Sequence, residues 1–231
     1  MMNEVLRQEK KYLISLDQYY RISRRFEKIM MQDPHNGEDG YCIRSLYFDS
    51  IDDRDFQEKE DGVEIRRKLR LRNYGASDKK AKLEMKQKQG INQKKRSLIL
   101  EEADAKQLIK GNTSVLLKEG SSFALECYAM MNQYVYRPVS TIEYQRKAFI
   151  AKENNIRITF DHHIVASETQ FDIFSDMIPF QVLDPYLVVL EVKYNGFLLS
   201  YIKDILQEVD KTETSVSKYC LGRTISKHFV F

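Results

Sequence analysis

The chain of 231 residues contains no tryptophan, three cysteines, four prolines and nine glycines. Each scarcity excludes something. Cys42, Cys127 and Cys220 are far apart and odd in number, which excludes a disulfide framework and predicts reduced, buried thiols in a cytoplasmic protein. His35, His162, His163 and His228 have no zinc-ligand spacing. Proline and glycine occur singly at turn-like places, so no linker is visible and the chain reads as one domain over residues 1–231. No apolar run approaches the roughly 18 residues of a membrane span. Residues 1–11 are too polar for a signal peptide, and His162–His163 reads as a solvated turn. At 42% hydrophobic and 31% charged, the composition is that of a folded protein, and fourteen Tyr with twelve Phe favour strands.

Acidic residues are scarce in one place. Residues 63–96 hold thirteen Lys or Arg against Glu64, Asp78 and Glu84, a net +10 in a chain whose total is +3. Parity is more telling than count. Arg66, Lys68, Arg70 and Arg72 alternate with Ile65, Arg67, Leu69 and Leu71. Lys82, Glu84, Lys86 and Lys88 alternate with Ala81, Leu83, Met85 and Gln87. Period two is the strand signature and gathers each charged set on one sheet face. Later strands repeat it: Arg157, Thr159 and Asp161 oppose Ile156, Ile158 and Phe160, and Glu191 and Lys193 oppose Val188, Leu190 and Val192. Arg7, Glu9 and Lys11 share a face near the start, and Arg146 stands in an otherwise ordinary strand.

Small barrels normally fill with apolar side chains. A curled or closed sheet with charge inside makes sense only around a charged ligand or metal, because confined cations repel. Lys10, Arg67, Lys79 and Lys80 read as ordinary solvated surface. Tyr74 is the one aromatic in the basic stretch, too few stacking rings for a nucleic-acid platform.

Periodicity predicts strands at 5–14, 41–49, 63–73, 80–88, 94–102, 139–151, 155–161 and 187–194, with short strand pieces in 164–180. A helix capped by Ser15 or Asp17 runs to about residue 31, packing through Leu16, Tyr19, Tyr20, Phe26 and Met30. Further helices are expected at 103–110, 121–133, 197–209 and 217–229, and 51–62 is a short helix or loop. The order lacks regular β-α-β alternation, so the fold class is α+β.

Nine short segments occur in one order: Glu-Lys-Lys-Tyr-Leu-Ile at 9–14, Ser-Leu-Tyr-Phe-Asp at 45–49, Arg-Lys-Leu-Arg-Leu-Arg-Asn-Tyr-Gly at 67–75, Leu-Glu-Met-Lys at 83–86, Lys-Lys-Arg at 94–96, Glu-Tyr-Gln-Arg-Lys-Ala-Phe at 143–149, Arg-Ile-Thr-Phe-Asp at 157–161, Leu-Glu-Val-Lys at 190–193 and Ser-Lys-Tyr at 217–219. Together they resemble the VTC domain, the polyphosphate polymerase branch of the triphosphate tunnel metalloenzymes. The resemblance implies an eight-stranded antiparallel β tunnel, a closed barrel with helices packed outside. It implies transfer of the ATP γ-phosphate to a growing polyphosphate chain, with ADP released and Mn²⁺ or Mg²⁺ held by Glu191. It assigns Lys11, Arg70, Arg72, Lys86, Arg146 and Lys218 to phosphates, adds Lys94 and Arg96, and has Ser217 bind phosphate where the last helix begins. Lys68, Arg157 and Tyr47 are further substrate-side candidates. Inorganic triphosphate or pyrophosphate are alternative ligands.

The chemistry suits the residue types. Phosphoryl transfer needs in-line positioning and charge neutralisation more than covalent help. Arg forks chelate phosphate oxygens, Lys adds point charge, and one hard carboxylate suffices for a metal whose shell phosphates complete. Two positions depart from the pattern. Arg7 stands where hydrolytic relatives carry a first-strand Glu, which disfavours metal-assisted attack by water, and Ser215 stands where the polymerase pattern has Lys. A tunnel triphosphatase and a non-catalytic polyphosphate- or nucleotide-binding module remain the alternatives. No fused phosphate-sensing or membrane segment is expected, and the residues name no export partner.

Overall fold

A computed structural model describes residues 7–90, 92–209 and 217–227. In chain order the elements are β1 (Arg7–Ser15), α1 (Leu16–Ile29), β2 (Met31–Gln32), β3 (Tyr41–Asp49), α2 (Arg54–Glu60), β4 (Ile65–Asn73), β5 (Lys80–Gln89), β6 (Asn92–Glu101), α3 (Glu102–Ile109), α4 (Ser122–Gln133), β7 (Arg137–Ala151), β8 (Ile156–Ser167), β9 (Gln181–Val182), β10 (Leu187–Asn195), α5 (Ser200–Leu206) and α6 (Lys218–Lys227). The class is α+β, with antiparallel ladders and helices. Ten strands take part among the described residues; β2 and β9, two residues each, are too short to show a period in sequence. The chain forms two compact units, one of residues 1–42, 144–164 and 184–217, the other of 43–143, 165–183 and 218–231.

In the first unit β1 pairs with β10 and β10 with β8, both antiparallel, and β2 pairs with β7. The sequence starts α1 sharply. Ser15 and Gln18 form a reciprocal capping box, Gln18 N–H donating to Ser15 Oγ (3.2 Å) and Ser15 N–H to Gln18 Oε1 (3.1 Å). Tyr19, Ile22 and Phe26 then recur at helical spacing and are buried. Tyr20, expected on the packing side, is exposed; Ile22 takes that place. This face lies in one core with Ile14, Phe149, Ile156, Ile158, Phe160, Val188, Leu190, Val192, Ile202 and Ile205. These are the apolar parities of β8 and β10. Gly40, at φ +98°, lets its loop approach β7: a Cβ there would lie 2.3 Å from the Arg146 carbonyl oxygen.

In the second unit β3, β4, β5 and β6 pair antiparallel in that order, and β9 pairs with the end of β8. Leu69, Leu71, Leu83, Met85 and Leu100 share a core with Ala105, Leu108, Leu116, Ala124 and Cys127 from the helical segment that follows β6. Burial pushes the Cys127 thiol up to about 12, an unreactive thiol. Helix α2 is capped unusually. Asp53 occupies the cap position but its side chain makes no capping bond, and Asp49 accepts the N–H groups of Asp55 (2.8 Å) and Phe56 (2.9 Å) instead.

His162 corrects the solvated-turn expectation. Strand β8 continues through it, and it is 2% exposed, with Nε2 3.3 Å from Tyr19 Oη and 3.1 Å from the Asp39 carbonyl oxygen. Burial, then neighbouring His163, push its pKa down to about 4. A depressed histidine stabilises the fold fully above its ordinary value and loses that contribution as pH falls. Stability is therefore expected to drop by on the order of 3 kcal/mol between about pH 6.5 and 4, from the linkage relation. Urea titrations across that window should flatten in His162→Gln; an unchanged slope would refute the assignment.

Candidate functional site

The registers of the second unit settle which charges stand together. Across β4, β5 and β6, Arg66 lies opposite Lys88 and then Gln93, Lys68 opposite Lys86 and then Lys95, Arg70 opposite Glu84 and then Ser97, and Arg72 opposite Lys82. On β3, Tyr47 pairs with Arg70 and Ser45 with Arg72. Direct partners in a ladder share a face. This face thus carries Arg66, Lys68, Arg70, Arg72, Lys80, Lys82, Lys86, Lys88 and Lys95 against two strand carboxylates, Glu84 on the middle strand and Glu101, which pairs with Lys80 at the end of β6. Its reverse holds the leucines of the core.

Glu84 organises the cations. It is 2% exposed. Arg70 donates to one of its oxygens through Nε (2.8 Å) and Nη2 (2.6 Å), Arg72 Nε lies 4.0 Å away, and Lys95 pairs with its other oxygen. Burial alone would raise its pKa, but Arg70, Arg72 and Lys95 outweigh it and hold the carboxyl at about 2. Arg70 Nη1 also donates to Tyr47 Oη at 3.3 Å. Burial would raise the Tyr47 phenol too, yet Arg70, Lys68 and Arg72 pull it below its ordinary value.

Two expected members are misplaced. Arg96 is registered with Met85, and Lys94 with Gln87, so both belong to the opposite face of β6. Arg96 pairs there with Glu126, donates to Gln87 Oε1 at 2.7 Å and covers the Phe123 ring at 5.1 Å. Lys95, which the sequence reading passed over, takes their place. Three consecutive cations hid the parity; buried Leu100 and partly buried Leu98 carry the signal that separates even from odd positions.

The first unit has a second charged face of different character. Lys11 pairs in register with Glu191 and then Thr159, and Glu9 with Lys193 and then Arg157. Here cations and carboxylates nearly balance. Glu9 is bridged to Lys11 (3.0 Å) and Lys193 (3.9 Å), and Glu191 to Lys193 and to Arg146 Nη2 (4.0 Å). Arg146 grips both Asp161 oxygens, at 2.6 and 2.7 Å. Burial would lower its pKa, but Asp161 and Glu191 hold it well above the ordinary value. Arg157 donates to Asp33 Oδ2 (2.6 Å) and Tyr41 Oη (3.2 Å). Asp33 and Tyr41 were not singled out in sequence, lying 124 and 116 residues from Arg157.

Ser217 and Lys218 stand half-buried where α6 begins. Residue 215, with the predicted departure from Lys, and residues 228 and 229 of the predicted last helix lie outside the described residues. Arg7 opens β1, but its side chain also lies outside the description. Among the described residues no group of three or more His, Cys, Asp or Glu forms a cation cage.

The depressed Glu84 stabilises the fold above its ordinary value of 4.5 and loses that contribution as pH falls towards 2, on the order of 3 kcal/mol. Acid unfolding of Glu84→Gln should show no such loss between these limits. The wild-type slope persisting in the variant would remove Glu84 from the cluster's electrostatics.

No curated protein matches the sequence. Solved structures that share its fold include two from a bacterium and a plant. One is a proposed adenylate cyclase from Bacillus halodurans, 15% identical, TM-score 0.52, with 99% of this chain and 100% of that chain covered. The other is a proposed adenylyl cyclase from Hippeastrum described as having a dominant triphosphatase activity, 11% identical, TM-score 0.58, with 95% and 96% covered. The model of the VTC domain matches residues 6–227, and the chain belongs to that family.

Proposed function

We propose that the protein is an ATP-dependent polyphosphate polymerase. A terminal oxygen of the acceptor chain attacks the γ-phosphorus of ATP, the bond from that phosphorus to the β,γ-bridging oxygen breaks, and ADP leaves. One observation carries the reading: the lateral row Lys68–Lys86–Lys95, flanked by Arg70, Arg72, Arg66 and Lys88. Like charges directly opposite one another destabilise a sheet. A row of three is reasonable where a polyanion offsets the repulsion. Such an array stabilises the charge spread over phosphoryl oxygens in transfer.

The first-strand carboxylate separates polymerase from hydrolase. Glu9 neutralises Lys11 and Lys193, and position 7 offers Arg, so no carboxylate pair forms on β1 to hold a metal that activates water. Glu191 is a hard oxygen donor, 6% exposed, with cations rather than carboxylates at its oxygens. That donor set fits a Mn²⁺ or Mg²⁺ whose remaining ligands are phosphate and water, and Glu191 would hold it. The ion's contribution when bound is to neutralise phosphate charge. ATP and polyphosphate, or inorganic triphosphate and pyrophosphate, are the partners this charge suits.

Incubation with ATP and Mn²⁺ should give a polyphosphate ladder on a stained gel, with ADP released. Phosphate release without chains would replace the proposal with a hydrolase, and binding without turnover with a binding module. Glu191→Gln should abolish turnover while tripolyphosphate binding stays largely intact; full activity in that variant would dismiss Glu191 as the metal ligand. Lys95→Ala should weaken tripolyphosphate binding about tenfold, the scale of a charge-assisted contact. Lys94→Ala should change it less than twofold, and equal losses in calorimetry would contradict the register.

A further inference from the structure

Helix α6 begins with the residues the phosphate reading uses, Ser217 and Lys218, and the next residue fastens it. Tyr219 is 1% exposed. Its hydroxyl donates to Asp49 Oδ2, the carboxylate that caps α2. Its ring stacks on Tyr47, centroids 5.0 Å apart and planes 21° from parallel, and meets Phe56 edge-on at 6.1 Å. Lys68 Nζ lies over the same ring, 5.8 Å from its centre. Tyr47, the stacking partner, receives Arg70.

Two further contacts fix the helix. Gly222 has no room for a Cβ, which would come within 2.7 Å of Ile142 Cδ1 and 2.8 Å of Ser140 Oγ on β7. Glycine is a poorer helix former than alanine, and here the close approach explains it. Arg223 pairs with Asp53 at the start of α2.

We infer that Tyr219 is a positioning residue, locking the first turn of α6 onto the same scaffold that aims Lys68 and Arg70. A phenylalanine would fill the volume and keep the stack. It would leave Asp49 without one of its donors and free the helix start to shift. The hydroxyl therefore serves placement of Lys218 more than packing. The inference rests on the phosphate reading only for what Lys218 meets; the fastening of α6 stands apart from it.

The test compares wild type, Tyr219→Phe, Lys218→Ala and the double variant. Hydrogen exchange should quicken about tenfold at α6 amides in Tyr219→Phe, and stay unchanged in β4 and β5, which report that the fold is intact. Calorimetry with inorganic tripolyphosphate should show about a tenfold loss for each single variant and no further loss for the double, the mark of residues acting through one another. Unchanged exchange in α6 overturns the inference. Losses that multiply in the double variant also overturn it, because Tyr219 would then act independently of Lys218. If wild type fails to bind tripolyphosphate, the phosphate reading falls and takes the role for Lys218 with it, while the exchange result still decides whether Tyr219 holds the helix.

Discussion

Crowding of like charge on β4, β5 and β6 is the constraint around which the second unit is arranged. Nine cations share one face of three adjacent strands and the neighbouring positions of β3 are Tyr47 and Ser45. One buried carboxylate organises its geometry. Glu84 sits on the middle strand, so it reaches Arg70 and Arg72 on one side and Lys95 on the other. A central anion orients three cations while removing one unit of charge. The arrangement survives because the opposite parity buries leucines and methionine against helices, and that apolar burial offsets the repulsion.

The first unit solves a different problem. Its charged face mixes carboxylates among cations, and several of these groups have a partner of opposite sign within 4.0 Å. Buried ion pairs contribute little net stability when the desolvation of both groups is counted. Their value is geometric: Arg146 is held flat by two bonds to Asp161, with Glu191 at its edge.

Much of this was legible in sequence, and the reasons are physical. Alternation exposed every long strand, because one parity must be apolar to bury; residues 41–49 were bounded to the residue. The start of α1 was legible to within two residues, at Ser15 or Asp17, and Ser15 is the cap. What escaped reading depended on contacts without local signature. Lys94, Lys95 and Arg96 are consecutive, so composition says nothing about which faces the cluster; the hairpin register, with Gln89 opposite Asn92, decides it. Asp33 meets Arg157 across a long stretch of chain. His162 looked like a turn because two histidines follow an aspartate, but the strand continues and His163 absorbs the strain at φ +49°. Asp49 ends a strand, and no local pattern shows that its carboxylate would replace Asp53 as the cap of α2.

Asp49 shows why a short motif can span more than its own residues. The Ser-Leu-Tyr-Phe-Asp segment ends in it and the Ser-Lys-Tyr segment ends in Tyr219, 170 residues later, and the two end residues are hydrogen-bonded. Tyr47 of the first segment stacks on Tyr219 of the second. Each segment alone is an unremarkable run of strand or helix residues. Joined, they support Arg70 from one side and begin α6 on the other, so the cation on the strand and the lysine on the helix are referenced to one rigid pair of rings. The placement of these cations is thus supplied by aromatic packing and one buried carboxylate rather than by added positive groups.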